Sequence, residues 1–470
     1  MVFSSTLFLF YFLPLFLILY YLSPAKFKNH ILLLASIVFY SWGGPIFIFV
    51  ILATTALDYI LVKQIEKSDS QKRKKTFLYI SLSVNLGILF AFKYLYFFTD
   101  NIDQLLGTAG IAPIGMNKLI LPIGLSFFTF ESLTYVIDVY RGHYKSLNSF
   151  RNYLTYILMF PKLIAGPIIP YNKIGWQIES ERKTTAEMRL SGFLRFIFGL
   201  SKKVLIANVL GETVEELYKL EPGNIDTVAA WAMSIGYTMQ LYFDFSGYSD
   251  MAIGICKMIG ISIPENFNFP YISKSITEFW RRWHISLGNW MRNYLYIPLG
   301  GSKGSVSRTY LNLWLVFIIS GFWHGAGWNF ILWGAFNGLF LMIERLFLNK
   351  YLKGNLSFIY TFFIVNIGWV LFRNEDMSVS LMIYQKMFSF NFIDVHSIDV
   401  RFVFVLICAL FFSFSGMFKS FYQSTQNDEL FFVESKWRLN CLFAFSVVLF
   451  VLSSSYLLGQ DFNPFIYFRF

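Results

Sequence analysis

Apolar runs follow one another along almost the whole chain, separated by short polar loops. A bilayer core takes about 20 apolar residues of helix. Runs of that character cover 3–22, 31–42, 46–62, 77–98, 118–137, 153–169, 190–209, 228–242, 251–261, 310–323, 330–348, 358–372, 402–418 and 439–458. Several, such as 31–42 and 251–261, are too short to cross perpendicular to the membrane. These read as half-helices, re-entrant segments or helices buried in protein, where irregular backbone is tolerated at depth. The pattern predicts an all-α, polytopic integral membrane protein with about 11 to 13 embedded segments. It is expected to form one transmembrane domain over 1–470, with its chemistry-bearing stretches between about 120 and 335. The run 3–22 has no basic lead-in and no small-residue cleavage site, so a retained helix is expected and not a cleaved signal.

Basic residues sort the loops. Lys63, Lys67, Lys72, Arg73, Lys74 and Lys75 crowd one loop, which the lysine and arginine bias makes cytoplasmic. Counting back, Lys26 and Lys28 fall on the same side and the N-terminus lies outside. Counting forward, Asp100 and Asp103 fall outside and Arg141, Lys145 and Arg151 inside. The basic loop 273–308 is expected on the cytoplasmic side.

Composition agrees with this picture: 56% of residues are hydrophobic, 20% aromatic and 14% charged. A soluble domain carries roughly a quarter charged residues. The net charge of +11 would suit nucleic acid, but the basic residues lie in short loops between apolar runs, where they fix topology. Cys256, Cys408 and Cys441 show no paired spacing and read as small buried hydrophobes.

Four stretches carry polar groups that a lipid-facing helix would not. In Gly321-Phe322-Trp323-His324-Gly325-Ala326-Gly327-Trp328-Asn329-Phe330, a histidine ends an apolar run. An ionisable group at membrane depth is costly and marks function. Histidine also moves protons near neutral pH. The small residues around it either let backbones approach closely or leave room for a substrate.

The stretch Trp280-Arg281-Arg282-Trp283-His284-Ile285-Ser286-Leu287 continues through Trp290, Arg292, Tyr294 and Tyr296 to Gly300-Gly301. On one helix, Trp280 and His284 would share a face. It reads either as an interfacial helix with a tryptophan belt and snorkelling arginines, or as a vestibule with His284 facing inward and arginines for a phosphate-bearing donor.

Asp244 and Asp250, in Tyr242-Phe243-Asp244-Phe245-Ser246-Gly247-Tyr248-Ser249-Asp250, lie between two apolar runs. They either cap a broken helix or pair with arginines, or else line a substrate channel. In Met159-Phe160-Pro161-Lys162-Leu163-Ile164-Ala165-Gly166-Pro167, two prolines and a glycine predict a broken helix lining a cavity. Glu131 is one more acid at depth, with no role the sequence assigns. A phosphate-binding G-x-x-x-x-G-K-[ST] loop, a G-x-S-x-G elbow and histidine/cysteine sets at metal-ligand spacing are all missing from the sequence.

Taken together, Phe160–Pro167, Trp280–Leu287 and Trp323-His324-Gly325 resemble the membrane-bound O-acyltransferase family, within it the bacterial branch of alginate O-acetyltransferases. The resemblance covers roughly 31–298 and 320–333, and the ending 464–470 looks like that branch's too. Teichoic-acid D-alanyl transferases are similar over the two histidine motifs, whereas the continuation Tyr294–Gly301 looks more like the alginate type. The resemblance implies a ring of helices around a thin central channel, with His324 as the essential histidine and His284 as a supporting one.

Trp280, Arg281, Arg282, Trp283, Trp323, Asn329, Asp244 and Asp250 are the expected donor- or channel-lining residues. The implied donor is acetyl-CoA, with no bound cofactor and no metal. The implied partners are the lipid bilayer, a polysaccharide acceptor and an extracytoplasmic acetyltransferase, with no nucleic acid. The implied place is the bacterial inner membrane. D-alanyl transfer to teichoic acid, or a glycan transporter or flippase without chemistry, are the competing readings. Broken helices and intramembrane carboxylates suit transporters as well.

Overall fold

A computed structural model describes residues 1–392, 398–418, 436–460, 462–463 and 465–466. Of the expected C-terminal motif, Pro464 and 467–470 lie outside the described residues. Those described are helical, with no strand. Five stretches are long and apolar enough to cross a membrane: Pro45–Lys67, Gln71–Thr108, Asn355–Arg373, Val400–Met417 and Leu439–Gly459. The remaining helices fail on length, apolarity or charge, so more of the chain is non-spanning by this measure than the apolar runs alone predict.

The chain divides into two compact units. The first holds 1–2, 7–185 and 256–263. Its helices are α1 (Leu13–Leu22), α2 (Lys28–Ser41), α3 (Ile48–Lys67), α4 (Gln71–Leu89), α5 (Leu95–Thr108), α6 (Leu125–Tyr140), α7 (Phe150–Leu158), α8 (Phe160–Leu163) and α9 (Tyr171–Glu179). The expected break near Pro161 is present: α7 ends at Leu158, the ψ of 107° at Met159 leaves the helical region, and α8 restarts with the proline in its first turn. Proline offers no N–H to the preceding turn, so the helix cannot continue through it. Glu131 of α6 finds its role here. It forms a fully buried ion pair with Lys162 of α8 and accepts the Ile169 N–H at 3.3 Å, tying the broken segment to α6.

The second unit holds 3–6, 186–255 and 264–470. Its helices are α10 (Ala186–Ser201), α11 (Val209–Tyr218), α12 (Thr227–Met258, its last turn counted with the first unit), α13 (Ile276–Arg282), α14 (Ile285–Trp290), α15 (Val306–His324), α16 (Trp328–Leu346), α17 (Asn355–Arg373), α18 (Met377–Met387), α19 (Val400–Phe414) and α20 (Lys436–Gly459).

Two sequence expectations are corrected here. The run 228–242 and the run 251–261 as far as Met258 belong to one uninterrupted helix, α12, about 48 Å long by its 32 residues. Asp244 and Asp250 therefore cap no break; a helix satisfies its own backbone whatever the side chains, and both acids find cations on neighbouring segments. The stretch 280–287 is not one helix either. α13 ends at Arg282, Trp283 is extended, and His284 takes a left-handed backbone (φ 46°, ψ 53°) before α14 begins. The Trp280–His284 face of a continuous helix does not form.

α15 and α16 make a tight antiparallel hairpin across Gly325-Ala326-Gly327. A Cβ on Gly321 would lie 2.2 Å from the Phe330 carbonyl oxygen, and one on Gly334 would lie 2.4 Å from that of Phe317. Only glycine lets the two backbones come this close. Cys256 is buried and Cys408 half-buried, but Cys441 is exposed, against expectation, because α20 presents most of its surface outward.

Candidate active site

Four pieces of the second unit build the site. Ser275 caps α13 by accepting the Glu278 N–H at 3.0 Å. The buried carboxylate of Glu344, at the end of α16, accepts the Ile276 N–H at 2.6 Å and the Thr277 N–H at 3.3 Å. An acid at a helix N-terminus satisfies orphan donors and complements the dipole. This fixes where α13 points, and with it Trp280 and Arg281. Trp280 donates its indole N–H to Asn337 Oδ1 at 3.2 Å, and Asn337 donates to the Trp333 carbonyl at 2.8 Å.

Both histidines are buried, His284 at 2% and His324 at 6% exposure, and both line one cavity of about 970 Å³. His324 is the last residue of α15. Its ring is held edge-on by Trp333 at 5.5 Å and Phe372 at 5.3 Å. The Trp323 ring lies 4.9 Å from His324 and 6.3 Å from His284. Phe245 of α12 meets His284 edge-on at 4.7 Å. Burial pushes the His284 imidazole down to about 3, so it is neutral at physiological pH.

The cavity's other end is cationic. Arg281, Arg292, Lys303 and Arg345 line it and are exposed, and no aspartate or glutamate is among its lining residues. The cavity is thus an inlet with a cationic rim and a histidine floor, walled by Trp280, Trp283, Phe317 and Leu313. A phosphate-bearing molecule with an uncharged reactive end matches that polarity.

Of the residues singled out from sequence, the structure brings His284, His324, Trp280, Arg281 and Trp283 together around this cavity. The others are elsewhere. Arg282 pairs with Glu278 at 2.8 Å and donates to the Asn268 carbonyl at 3.2 Å. Trp323 stands beside both histidine rings without lining the cavity. Asn329 is fully buried, with its amide 3.5 Å from the carbonyls of Leu371 and Phe372. Asp244 pairs with Lys203 at 2.8 Å, and Asp250 with Arg195 at 2.9 Å and Lys202 at 2.6 Å.

Sequence reasoning missed Lys303, Arg345, Asn337 and Asn266. Lys303 had a signal, since it sits in the glycine-rich Gly300-Gly301-Ser302-Lys303-Gly304 directly after the second motif. Arg345 looked like any arginine at the end of an apolar run. No group of three or more histidine, cysteine or acidic residues among those described could hold a metal.

A sequence profile of the membrane-bound O-acyltransferase family matches residues 138–373, which contain every rim and floor residue of the inlet. Its relatives include a probable alginate O-acetylase of Pseudomonas aeruginosa, 44% identical over 395 residues, covering 83% of this chain and 75% of that one. A probable alginate O-acetylase of Pseudomonas putida is 38% identical over 489 residues, covering the whole of both chains. A peptidoglycan O-acetyltransferase of Helicobacter pylori is 33% identical over 428 residues, covering 83% of this chain and 80% of that one. The chain belongs to the membrane-bound O-acyltransferase family, as its motifs led one to expect. It is an integral membrane enzyme that transfers acyl groups to hydroxyls.

Proposed function

We propose that this enzyme moves an acetyl group from cytoplasmic acetyl-CoA to hydroxyls of an extracytoplasmic polysaccharide of the alginate kind. It does so directly or through an extracytoplasmic partner transferase, in a bacterial inner membrane with the N-terminus outside. The observation that carries the reading is the inlet itself: two buried histidines at its floor, cations at its rim and no acid in its lining. The relatives' names support acetyl over D-alanyl as the group transferred and a polysaccharide as the acceptor.

The rim cations Arg281, Arg292, Lys303 and Arg345 bind the donor's phosphates, and the thioester reaches down between Trp280 and Trp283. His324 acts as general base. It takes the proton of the attacking hydroxyl as the new C–O bond forms and the C–S bond breaks, and the departing sulfur receives that proton. Such a base contributes typically about 10²–10⁴-fold. The aromatic walls keep water from the thioester. His284 supports the reaction as a neutral partner.

The test is ester-linked acetate on envelope and exported polysaccharides, in a deletion strain complemented with wild type or with His324→Ala at matched protein level. Loss of acetate in the deletion strain and in the mutant is expected. Unchanged acetate with a glycan missing from the surface would overturn the reading in favour of transport.

A further inference from the structure

The backbone around His284 is unusual: a left-handed conformation at a residue with a Cβ, which is costly unless the surroundings impose it. One residue imposes it. Asn266, fully buried, accepts the Ile285 N–H on its carbonyl oxygen at 2.9 Å. Its Oδ1 accepts the Ser286 N–H at 3.1 Å and the Ser286 hydroxyl at 2.9 Å. The same Oδ1 lies 3.3 Å from His284 Nδ1.

These contacts fix more than position. Asparagine oxygen and nitrogen are assigned from their hydrogen bonds. A backbone N–H can only donate, so the atom facing Ser286 N must be oxygen. The Ser286 hydroxyl also lies 3.4 Å from Nδ1, but it donates its proton to Oδ1 at 2.9 Å, so both oxygens beside Nδ1 are acceptors and Nδ1 carries the proton. In a neutral imidazole the other nitrogen is the acceptor.

We propose that Asn266 is a positioning residue for acyl transfer: it holds His284 as the Nδ1–H tautomer, which makes Nε2 the accepting nitrogen, and in the reaction Nε2 accepts a hydrogen bond from the attacking hydroxyl. Two histidines on one cavity then have different tasks. His324 removes the hydroxyl proton, and His284 orients the same hydroxyl without becoming charged. The charged groups lining this cavity are Arg281, Arg292, Lys303 and Arg345. All are cations that disfavour an imidazolium, which accords with a neutral role. The arrangement is a second-layer support of the kind that sets histidine tautomers at metal sites, used here without a metal. The kinetic part of the inference rests on the proposed acyl transfer; the tautomer does not.

The chain has five histidines, few enough for ¹⁵N-histidine NMR of the full-length protein in detergent micelles, with His284 assigned by its loss in His284→Gln. Wild type is expected to show His284 protonated at Nδ1 and still neutral at pH 5. Asn266→Ala is expected to move it to the Nε2–H form that histidine prefers in water. A wild-type His284 protonated at Nε2 overturns the proposal, even if the alanine variant does not fold.

In the acetylation assay, Asn266→Ala is expected to lower kcat at least tenfold with the donor KM unchanged. Asn266→Asp, placing a carboxylate on Nδ1–H, is expected to raise the pH at which His284 titrates in the same NMR spectra by about one unit. A shifted tautomer with unchanged kcat would overturn the positioning role. Retained activity in His324→Ala would instead fault the base assignment and leave the tautomer standing.

Discussion

Arg345 stands at the rim of the inlet with no acid in the lining to neutralise it, one residue after the Glu344 that caps α13. A phosphate contact there belongs to donor binding and not to the chemistry. Arg345→Gln is therefore expected to raise the donor KM about tenfold and leave kcat within a factor of two, since a hydrogen bond to a charged group is worth about 1.5–3 kcal/mol. Steady-state kinetics with varied acetyl-CoA checks this; a kcat loss at unchanged KM would remove Arg345 from the donor site. The two histidines were legible because an ionisable residue in an apolar, glycine-flanked run has few reasons to be there. Asn266 was not. It lies 18 positions from His284 in a loop of alternating asparagine and phenylalanine, and only folding brings its side chain under the imidazole.

At the scale of elements, the α15–α16 hairpin decides how close His324 comes to Trp333. Gly334 faces the Phe317 carbonyl at a distance no Cβ tolerates. Gly334→Leu is expected to force the helices apart, costing about 1–3 kcal/mol or more, and to lower the melting temperature in detergent. Gly87→Ala in α4, where a Cβ would meet nothing within 4 Å, is the matched control and should be neutral or slightly stabilising, since helical glycine costs about 1 kcal/mol relative to alanine. Equal melting temperatures for the two variants would refute the packing argument. The broken helix at Pro161 was readable because proline acts locally. The continuity of α12 was not, because the polar residues 244–250 look like a loop until their partners are known.

At the scale of the molecule, buried charges organise the second unit. Asp244 holds Lys203 at 2.8 Å and accepts the Ile466 N–H at 2.9 Å. Lys203 also donates to Asn208 at 2.6 Å, and Asn208 donates to Asn463 at 3.2 Å. Asn463 exchanges hydrogen bonds with Ser4 at 2.8 and 3.0 Å. Phe3, Tyr248 and Phe465 stack alongside, with centroids 4.5 and 4.8 Å apart. Residues 3–4, 463 and 465–466 are thus fastened around one ion pair, between Asp244 of α12 and Lys203 of the segment that joins α10 to α11. Removing one partner leaves a buried charge alone, at about 3–5 kcal/mol. Asp244→Ala is expected to reduce the folded yield severely, and Lys203→Met added to it should restore much of that yield. Fluorescence-detected size exclusion measures both. A double variant no better than the single one would show that the Asp244 contact with the Ile466 N–H, and not the charge, is what matters.

The class of enzyme was legible from the resemblance of three motifs taken together. The sequence alone determined what local physics controls: the apolar runs that make helices, the proline that breaks one, and the two histidines in apolar surroundings. Each follows from residues within a few turns of one another. The tertiary structure alone decided which polar residues meet. Asp244, Asp250 and Glu131 became ion pairs, Arg282 turned to Glu278, and Arg345 and Lys303 joined the inlet rim. Burying a charge or an amide is tolerable only with a partner, and the partners lie as far as 459 positions apart, as Ser4 and Asn463 do. Chain distance hides such pairs from any reading of spacing, and packing reveals them.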